Sequence, residues 1–239
     1  MTYNVWYEEH QQALRHPALL RVLEACDADV LGLQEVSPDF LAKLEACAWV
    51  RGRYRVFADD VDPDFPGTVL LSRKSVATSD LVDLPGNLGR RLVVAELGRL
   101  TVAAVHLESM RSRARTRREQ LAEIFAYLEG DDDVVLMGDF NFCATSEENA
   151  QLDPSFDDVW SSLRPDDPGF TEDTTINRMR LEVTGRHKHV RYDRMLLRTR
   201  SGRWAPQDVA LIGTEAVGPD HPDVFPSDHF GLVATLQRR

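Results

Sequence analysis

The run Val134-Val135-Leu136-Met137-Gly138-Asp139-Phe140-Asn141 decides how this chain is read. Four apolar residues without alternation describe a strand covered on both faces. Gly138 lets the backbone turn sharply as the strand leaves the core. Asp139 and Asn141 follow two apart, so in extended backbone both side chains point the same way. An ionised acceptor and an amide would then stand together at a strand end, where α/β folds tend to build sites. An Asx-type turn closing the strand accounts for the same octapeptide equally well, so the rest of the chain has to choose.

Working outward, residues 101–105 read as another buried strand, and it ends on His106. Between the two, Leu121, Ile124, Phe125 and Leu128 share one helical face, closed by Gly130. Residues 29–36 give a third buried strand, which delivers Glu35. Ser37-Pro38-Asp39 is a helix start, with a cap, a proline at the first position and an acid in the first turn, and Phe40, Leu41 and Leu44 continue it. Residues 2–5 form a short strand carrying Asn4. Met1 cuts that strand short, so the expectation is that Met1 is an internal methionine and that the natural chain starts upstream. Residues 17–25 read as a helix with Pro17 in its first turn. Residues 49–100 read as mostly β, with short strands at 68–71, 80–84 and 92–97. Downstream, residues 142–188 are polar and rich in Pro and Asp, which suggests a functional loop region with short elements. Residues 191–198 read as a strand with Asp193 set among bulky neighbours, and Ser227-Asp228-His229 leads into a last strand at 230–236. No repeat or linker divides the 239 residues, which are read as one domain.

A hydrophobic fraction of 43% is enough for a sizeable core. No apolar run is long enough to span a bilayer, and residues 1–30 do not resemble a signal peptide. Cys26, Cys47 and Cys143 lack metal-type spacing and read as reduced thiols of a cytoplasmic protein. The net charge of −11 argues against bulk nucleic-acid affinity but not against a nuclease that keeps its basic residues local. Such clusters occur at Arg90-Arg91 and across Arg111, Arg113, Arg115, Arg117 and Arg118.

Strand after strand therefore ends on a side chain suited to chemistry: Asn4, Glu35, His106, Asp139 with Asn141, and Asp228 with His229. Turn chemistry alone would place Gly, Ser or Pro at several of these ends. Carboxylate and amide oxygens without thiolates favour a hard ion, Mg²⁺ or in its place Mn²⁺. Such an ion polarises a phosphoryl oxygen, a second carboxylate orients and deprotonates water, and histidines stabilise the added charge. The pattern points to metal-assisted hydrolysis of a phosphoester.

The stretches Thr2-Tyr3-Asn4, Leu33-Gln34-Glu35-Val36, Val105-His106-Leu107-Glu108-Ser109, Gly138-Asp139-Phe140-Asn141, Arg191-Tyr192-Asp193-Arg194 and Ser227-Asp228-His229 together resemble the endonuclease/exonuclease/phosphatase superfamily, also called exonuclease III-like or DNase I-like. They stand in that family's order across nearly the whole chain. Within it, the Arg-rich segment after Ser109, Glu119-Gln120-Leu121, Asp158-Val159-Trp160 and the run from Phe225 to Leu232 are most similar to the 5′-tyrosyl-DNA phosphodiesterases. The resemblance implies an α/β (α+β) four-layer sandwich, with two packed, mainly antiparallel sheets flanked by helices. It implies that Glu35 binds the catalytic metal with Asn4 close by, and that Asp139, helped by Asn141, activates the water. His229 would contact the scissile phosphate, with Asp193 fixing its tautomer. Asp228 would sit by this or a second metal, and His106 and Ser109 would contact phosphate oxygens. Trp6, Phe140, Phe142, Cys143 and Glu172 depart from that branch's pattern, the last beside Phe170 where the branch has an aromatic wall.

Arg111 and its neighbours can grip a nucleic-acid backbone, but a solvated helix start with partners such as Glu119 explains them as well. Phe170, in a polar loop, is the better candidate to stack on a base or tyrosine ring, and Trp160 reads as core. His187 and His189 read as exposed, and Asp131-Asp132-Asp133 as a solvated turn. The resulting expectation is a Mg²⁺-dependent phosphodiesterase acting on DNA or RNA ends, with 5′-phosphotyrosyl DNA as one substrate. Its rivals are abasic-site endonuclease, deadenylase or 3′ exonuclease, and inositol or lipid phosphoesterase. Of other classes are a catalytically silent binding protein and a metal-free hydrolase built on Ser227 or Ser109.

Overall fold

Strands that are apolar on both faces need cover on both, and the fold supplies it with two stacked sheets and an outer layer of helices on each. The computed structural model describes residues 1–58 and 66–239. In chain order the elements are β1 (Thr2–Asn4), α1 (Gln12–Cys26), β2 (Val30–Val36), α2 (Pro38–Ala46), α3 (Ala48–Arg53), β3 (Arg55–Ala58) and β4 (Gly67–Ser72). They continue with β5 (Ser79–Asp83), β6 (Arg91–Leu97), β7 (Leu100–His106), α4 (Ala114–Tyr127) and β8 (Asp133–Asp139). The chain then passes through β9 (Asp157–Asp158), α5 (Val159–Leu163), β10 (Glu172–Asp173), α6 (Met179–Thr184) and β11 (His189–Val190). It closes with β12 (Asp193–Thr199), β13 (Trp204–Ile212) and β14 (Gly231–Arg238).

One sheet runs β13-β14-β1-β2-β4-β3, the other β5-β6-β7-β8-β12-β9, and β10 and β11 pair as a separate ribbon. Each large sheet contains one parallel pair, β1 with β2 and β7 with β8, and its other pairs are antiparallel. Val102, Ala104, Val135, Met137, Met195 and Leu197 fill the space between the sheets with Leu70 and Leu232. The alternate residues Val134 and Leu136 face Leu121 and Ile124 of α4 and Leu128 just past its end. On the far side, Leu31, Leu33 and Val69 pack on Leu19 and Leu23 of α1 and on Phe40 and Leu44 of α2. These four layers are the sandwich expected from the sequence. No helix of the described residues is long and apolar enough to cross a membrane.

The cap at Ser37 forms as read: its side chain accepts from the Phe40 amide at 3.2 Å, with Pro38 at the head of α2. Other readings need correction. Helix α1 starts at Gln12, so Pro17 is interior rather than in the first turn. The earlier start is held by Arg15, which is fully buried and donates to the carbonyls of Val5, Trp6, Glu8 and His10. Helix α3 occupies the start of the stretch read as mostly β, and residues 59–65 of that stretch lie outside the described residues. Strand β13 was not expected. Asp133 is not in a solvated turn: it opens β8 and is 1% exposed.

Candidate active site

The period of two along each strand carries the core pattern into the site. Asp139 continues the row of Val135 and Met137, His106 continues that of Val102 and Ala104, and Asp193 begins that of Met195 and Leu197. The register puts His106 opposite Asp139 and Asp139 opposite Asp193, so the three form one rung across β7, β8 and β12. All three are at most 2% exposed. The rung closes the inter-sheet space at the end where Gly138 lies. Gly138 has φ +147°, and a Cβ there would stand 1.8 Å from the Val105 carbonyl oxygen, so only glycine fits.

The other sheet contributes Asn4 and Glu35. Residues 31 and 33 face the helices, and Glu35 would follow them but for an irregularity in the β2–β4 register between Leu33 and Val36. Glu35 takes φ +57° there, Val36 fills the helix-facing position, and the Glu35 carboxylate turns to the site. Asn4 links the sheets: its Nδ2 donates to Glu35 Oε1 at 3.1 Å and to Asp139 Oδ2 at 3.0 Å, while its Oδ1 accepts from the Trp6 amide. Asp139 Oδ1 accepts from the Asn141 amide at 2.8 Å, and Asn141, at φ +55°, donates its Nδ2 to the Leu107 carbonyl. The Asx turn and the site are thus one feature, but Asn141 does not run parallel to Asp139 in extended backbone.

The two histidines are held in opposite states. Arg90 Nη1 lies 2.7 Å from His106 Nδ1, and a guanidinium only donates, so Nδ1 keeps its lone pair and Nε2 carries the hydrogen. Burial and Arg90 also push the His106 pKa well below its usual range. His106 Nε2–H points at Asp139 Oδ2, 3.4 Å away, with Glu35 Oε1 at 4.0 Å. His229 faces carboxylates at both nitrogens, Asp193 Oδ2 at 2.7 Å and Glu172 Oε1 at 3.3 Å. Although burial opposes it, the charges of Asp193, Asp228 and Glu172 hold its pKa well above the usual value.

Glu35, His106 and Asp139 bring one ligand atom each within 4.8 Å of one another, as do Asp139, Asp193 and His229. His106 Nε2 and both nitrogens of His229 carry hydrogens, so the donors left for a divalent cation are carboxylate oxygens: those of Glu35 and Asp139 in the first group, and those of Asp139 and Asp193 in the second, where Asp193 Oδ1 has no hydrogen-bond partner among the described residues. Burial, then the neighbouring Asp193, raise the Asp139 pKa; a nearby positive charge would relieve both. Burial likewise raises that of Asp228, whose nearest cation is Arg180 at 3.6 Å. The donor set fits a hard divalent ion. Asp228 is beside this cluster through Arg180 and His229 rather than within either ligand group.

Ser109 Oγ accepts from Arg90 Nη2 at 3.1 Å. Ser227 Oγ donates to the Asn4 carbonyl at 2.7 Å and accepts from the His229 backbone amide. Neither hydroxyl has an imidazole nitrogen as partner among the described residues, which leaves the serine-hydrolase alternative without its base. Arg111 is exposed on a short 3₁₀ turn and joins none of these contacts among the described residues. Phe170 is half-buried and stacks on the exposed His189 ring, centroids 5.7 Å apart. Arg115 pairs with Glu119 on the surface, whereas buried Arg117 grips Glu148 and the Glu108 and Met110 carbonyls. Sequence reasoning took Arg90 only as part of a basic cluster and Glu172 only as a departure from the family pattern, placed neither in the site, and did not single out Arg180. A cavity of about 790 Å³, walled by Val102, Val135, Met137 and Met195, opens at the opposite pole and holds none of the cluster.

The Endonuclease/Exonuclease/phosphatase family matches residues 1–229 of the chain. Tyrosyl-DNA phosphodiesterase 2 of Rattus norvegicus is 30% identical over 228 residues, covering 87% of this chain and 58% of the rat protein. The Mus musculus protein of the same name is 29% identical over 225 residues, covering 87% and 57%. The chain therefore spans a little over half the length of these curated relatives. The crystal structure of D. rerio TDP2 complexed with single strand DNA product shares the fold with a TM-score of 0.85 at 26% identity, over 99% of this chain and 97% of that one. The truncated Caenorhabditis elegans TDP2 gives 0.81 at 24% identity, over 99% and 96%.

Proposed function

The chain belongs to the endonuclease/exonuclease/phosphatase family, and on that premise we propose that it is a Mg²⁺-dependent phosphodiesterase acting on nucleic-acid ends, with 5′-phosphotyrosyl DNA the substrate its relatives point to. The observation that carries this reading is the rung of His106, Asp139 and Asp193, with Glu35 and Asn4 facing it from the other sheet.

Glu35 and Asp139 would hold the cation, which supplies a Lewis acid for a phosphoryl oxygen. Mn²⁺ would serve in its place. Asp139 accepts from the Asn4 and Asn141 nitrogens, so its oxygens are fixed in place to orient water and take its proton. Asp193 orients His229 through Nδ1, leaving a charged Nε2–H for a phosphate oxygen. His106 presents a neutral Nε2–H from the opposite side, with Arg90 behind it and Ser109 beside it. Asp228 keeps Arg180 at the rim, and Phe170 and Arg111 offer a stacking face and a charge to the nucleic acid beyond. The domain is read as one unit over residues 1–239. Free thiols at Cys26, Cys47 and Cys143 fit a reducing compartment, and we assign the cytoplasm.

The test is hydrolysis of a 5′-phosphotyrosyl oligonucleotide beside an abasic-site duplex and poly(A) RNA, with Mg²⁺ and with chelator, using Asp139→Asn as control. Tyrosine release that needs both Mg²⁺ and Asp139 is the expected result. Cleavage of another member of the set with the same dependences would keep the chemistry and replace the substrate. Full activity in excess chelator would sink the metal-dependent reading.

A further inference from the structure

Glu172 is a buried acid that the hydrolytic chemistry does not require. It is 3% exposed. Its place is fixed by backbone bonds on both sides. Strand β10 pairs it with Val190, the preceding Thr171 amide donates to the Val190 carbonyl, and the Thr171 carbonyl accepts from the Phe230 amide. The carboxylate stands beside the nitrogen that would receive a phosphate oxygen. Its Oε1 lies 3.3 Å from His229 Nε2, longer than an ordinary N–H···O hydrogen bond. The contact is one of charge and leaves the Nε2–H able to donate elsewhere. Oε2 has no hydrogen-bond partner among the described residues. The two cations near Glu172 each face another carboxylate as well: His229 meets Asp193 at 2.7 Å, and Arg180 meets Asp228 at 3.6 Å. Glu172 is therefore surplus negative charge at the point where the phosphate must arrive.

The two sides of a phosphodiesterase reaction differ in charge at that point. A phosphodiester carries one negative charge. Hydrolysis breaks its P–O bond to the leaving group and forms one to a water oxygen. The phosphomonoester so made loses a further proton with a pKa near 6 and carries close to two charges at neutral pH. A fixed carboxylate in a site of low dielectric repels the second form more than the first.

We infer that Glu172 sets a charge limit on this site, admitting the singly charged phosphodiester and disfavouring the doubly charged phosphomonoester that hydrolysis leaves. This rests on the phosphodiesterase reading and deepens it, since Glu172 becomes the residue that separates substrate from product. It acts on the phosphate alone, and so agrees with a DNA end as the substrate.

The experiment measures the binding of thymidine 5′-phosphate and of thymidine 5′-(methyl phosphate), in which a methyl cap removes one charge, with Mg²⁺ at about pH 8. Hydrolysis of thymidine 5′-(p-nitrophenyl phosphate), with thymidine 5′-phosphate as inhibitor, is followed alongside. The proteins are wild type, Glu172→Gln and Glu172→Asp, each checked for a melting temperature no lower than wild type. Relative to the methyl diester, Glu172→Gln should bind the monoester about tenfold or more tighter than wild type does. Thymidine 5′-phosphate should inhibit that variant at correspondingly lower concentration. Glu172→Asp keeps the charge and should stay close to wild type. An unchanged ratio, or equally weakened binding of both ligands in Glu172→Gln, would overturn the inference and leave Glu172 as a support for His229. Mg²⁺-dependent hydrolysis with that unchanged ratio keeps the phosphodiesterase reading and discards the charge limit. If the p-nitrophenyl ester is not hydrolysed but the ratio shifts as expected, the phosphodiesterase reading fails and the charge limit stands. If neither ligand binds and the ester is not hydrolysed, both fail.

Discussion

Strand β8 carries an aspartate at each end of the same face, and the two lie in opposite electrostatic surroundings. Asp133 and Asp139 are almost equally buried, at 1% and 2% exposure. Asp133 receives the Ser201 hydroxyl at 2.7 and 2.5 Å on its two oxygens and the Ser201 amide at 3.3 Å, with Arg203 4.0 Å away. It is a finished structural contact, closing the turn between β12 and β13. Asp139 also accepts two bonds, but it shares its surroundings with the carboxylates of Glu35 and Asp193 as well as with His106 and His229. Its pKa is raised, first by burial and then by the neighbouring Asp193, against the lowering effect of His229 and of its two hydrogen bonds. Burial alone therefore does not mark a functional acid; incomplete compensation does.

The largest expected effect comes from breaking the uncompensated end. Asp139→Asn should lower turnover about a thousandfold while leaving the melting temperature equal or higher, since it removes charge from a crowded site. A loss of stability as large as the loss of activity would show that Asp139 is structural like its counterpart. Asp133→Ala should do the reverse. It strands the Ser201 hydroxyl and costs about 3 kcal/mol of stability, measured by denaturant titration, with kcat within about twofold of wild type. A divalent cation sharpens the contrast from a third side. Mg²⁺ at a hundred times its Kd should stabilise the wild type by about 2.7 kcal/mol. Asp133→Ala should keep that response and Asp139→Asn should lose most of it. An equal response in all three proteins would place the cation elsewhere.

The same contrast explains what was legible in the sequence. Asp139, His106, Glu35 and Asn4 stand at ends of apolar runs, and a period-two pattern carries side-chain direction to the last residue of a strand. Even so, the turn of Glu35 depends on a register irregularity that no local signal announced. Asp133 closes a run of three aspartates, and what makes it structural is Ser201, close only after β12 has paired with β8. Glu172 comes from a two-residue strand in a polar stretch with no periodicity, and its site partner His229 lies far along the chain. Arg90 sits just before β6, in a loop broken by glycines, and only the β7 register brings it to His106. Strand β13 was missed because it is an edge strand, interrupted by Pro206 where its register with β14 shifts.

The smallest effect concerns a group that would blur any comparison of the two aspartates at low pH. His16 is buried in α1, its Nδ1 facing the Lys43 ammonium at 3.3 Å and, further off, Asp39 at 3.8 Å. An ammonium only donates, so this nitrogen accepts and the ring is neutral. Burial, then Lys43 and Arg15, lower its pKa from 6.5 to about 4. Between those values the unfolded chain binds a proton that the folded chain refuses. The contribution of His16 to stability is therefore whole above pH 6.5 and is lost as pH falls toward 4. Asp139, with its pKa raised, works in the opposite sense: the folded chain holds its proton more tightly, so acid relieves that end. In His16→Gln the difference in unfolding free energy between pH 7 and pH 4.5 should shrink by about 1–2 kcal/mol. Subtracting Asp139→Asn in that background then isolates the end of β8 that acid stabilises. An unchanged pH dependence in His16→Gln would mean that the ring is solvated enough to take its proton, and that the low-pH slope belongs to the carboxylates alone.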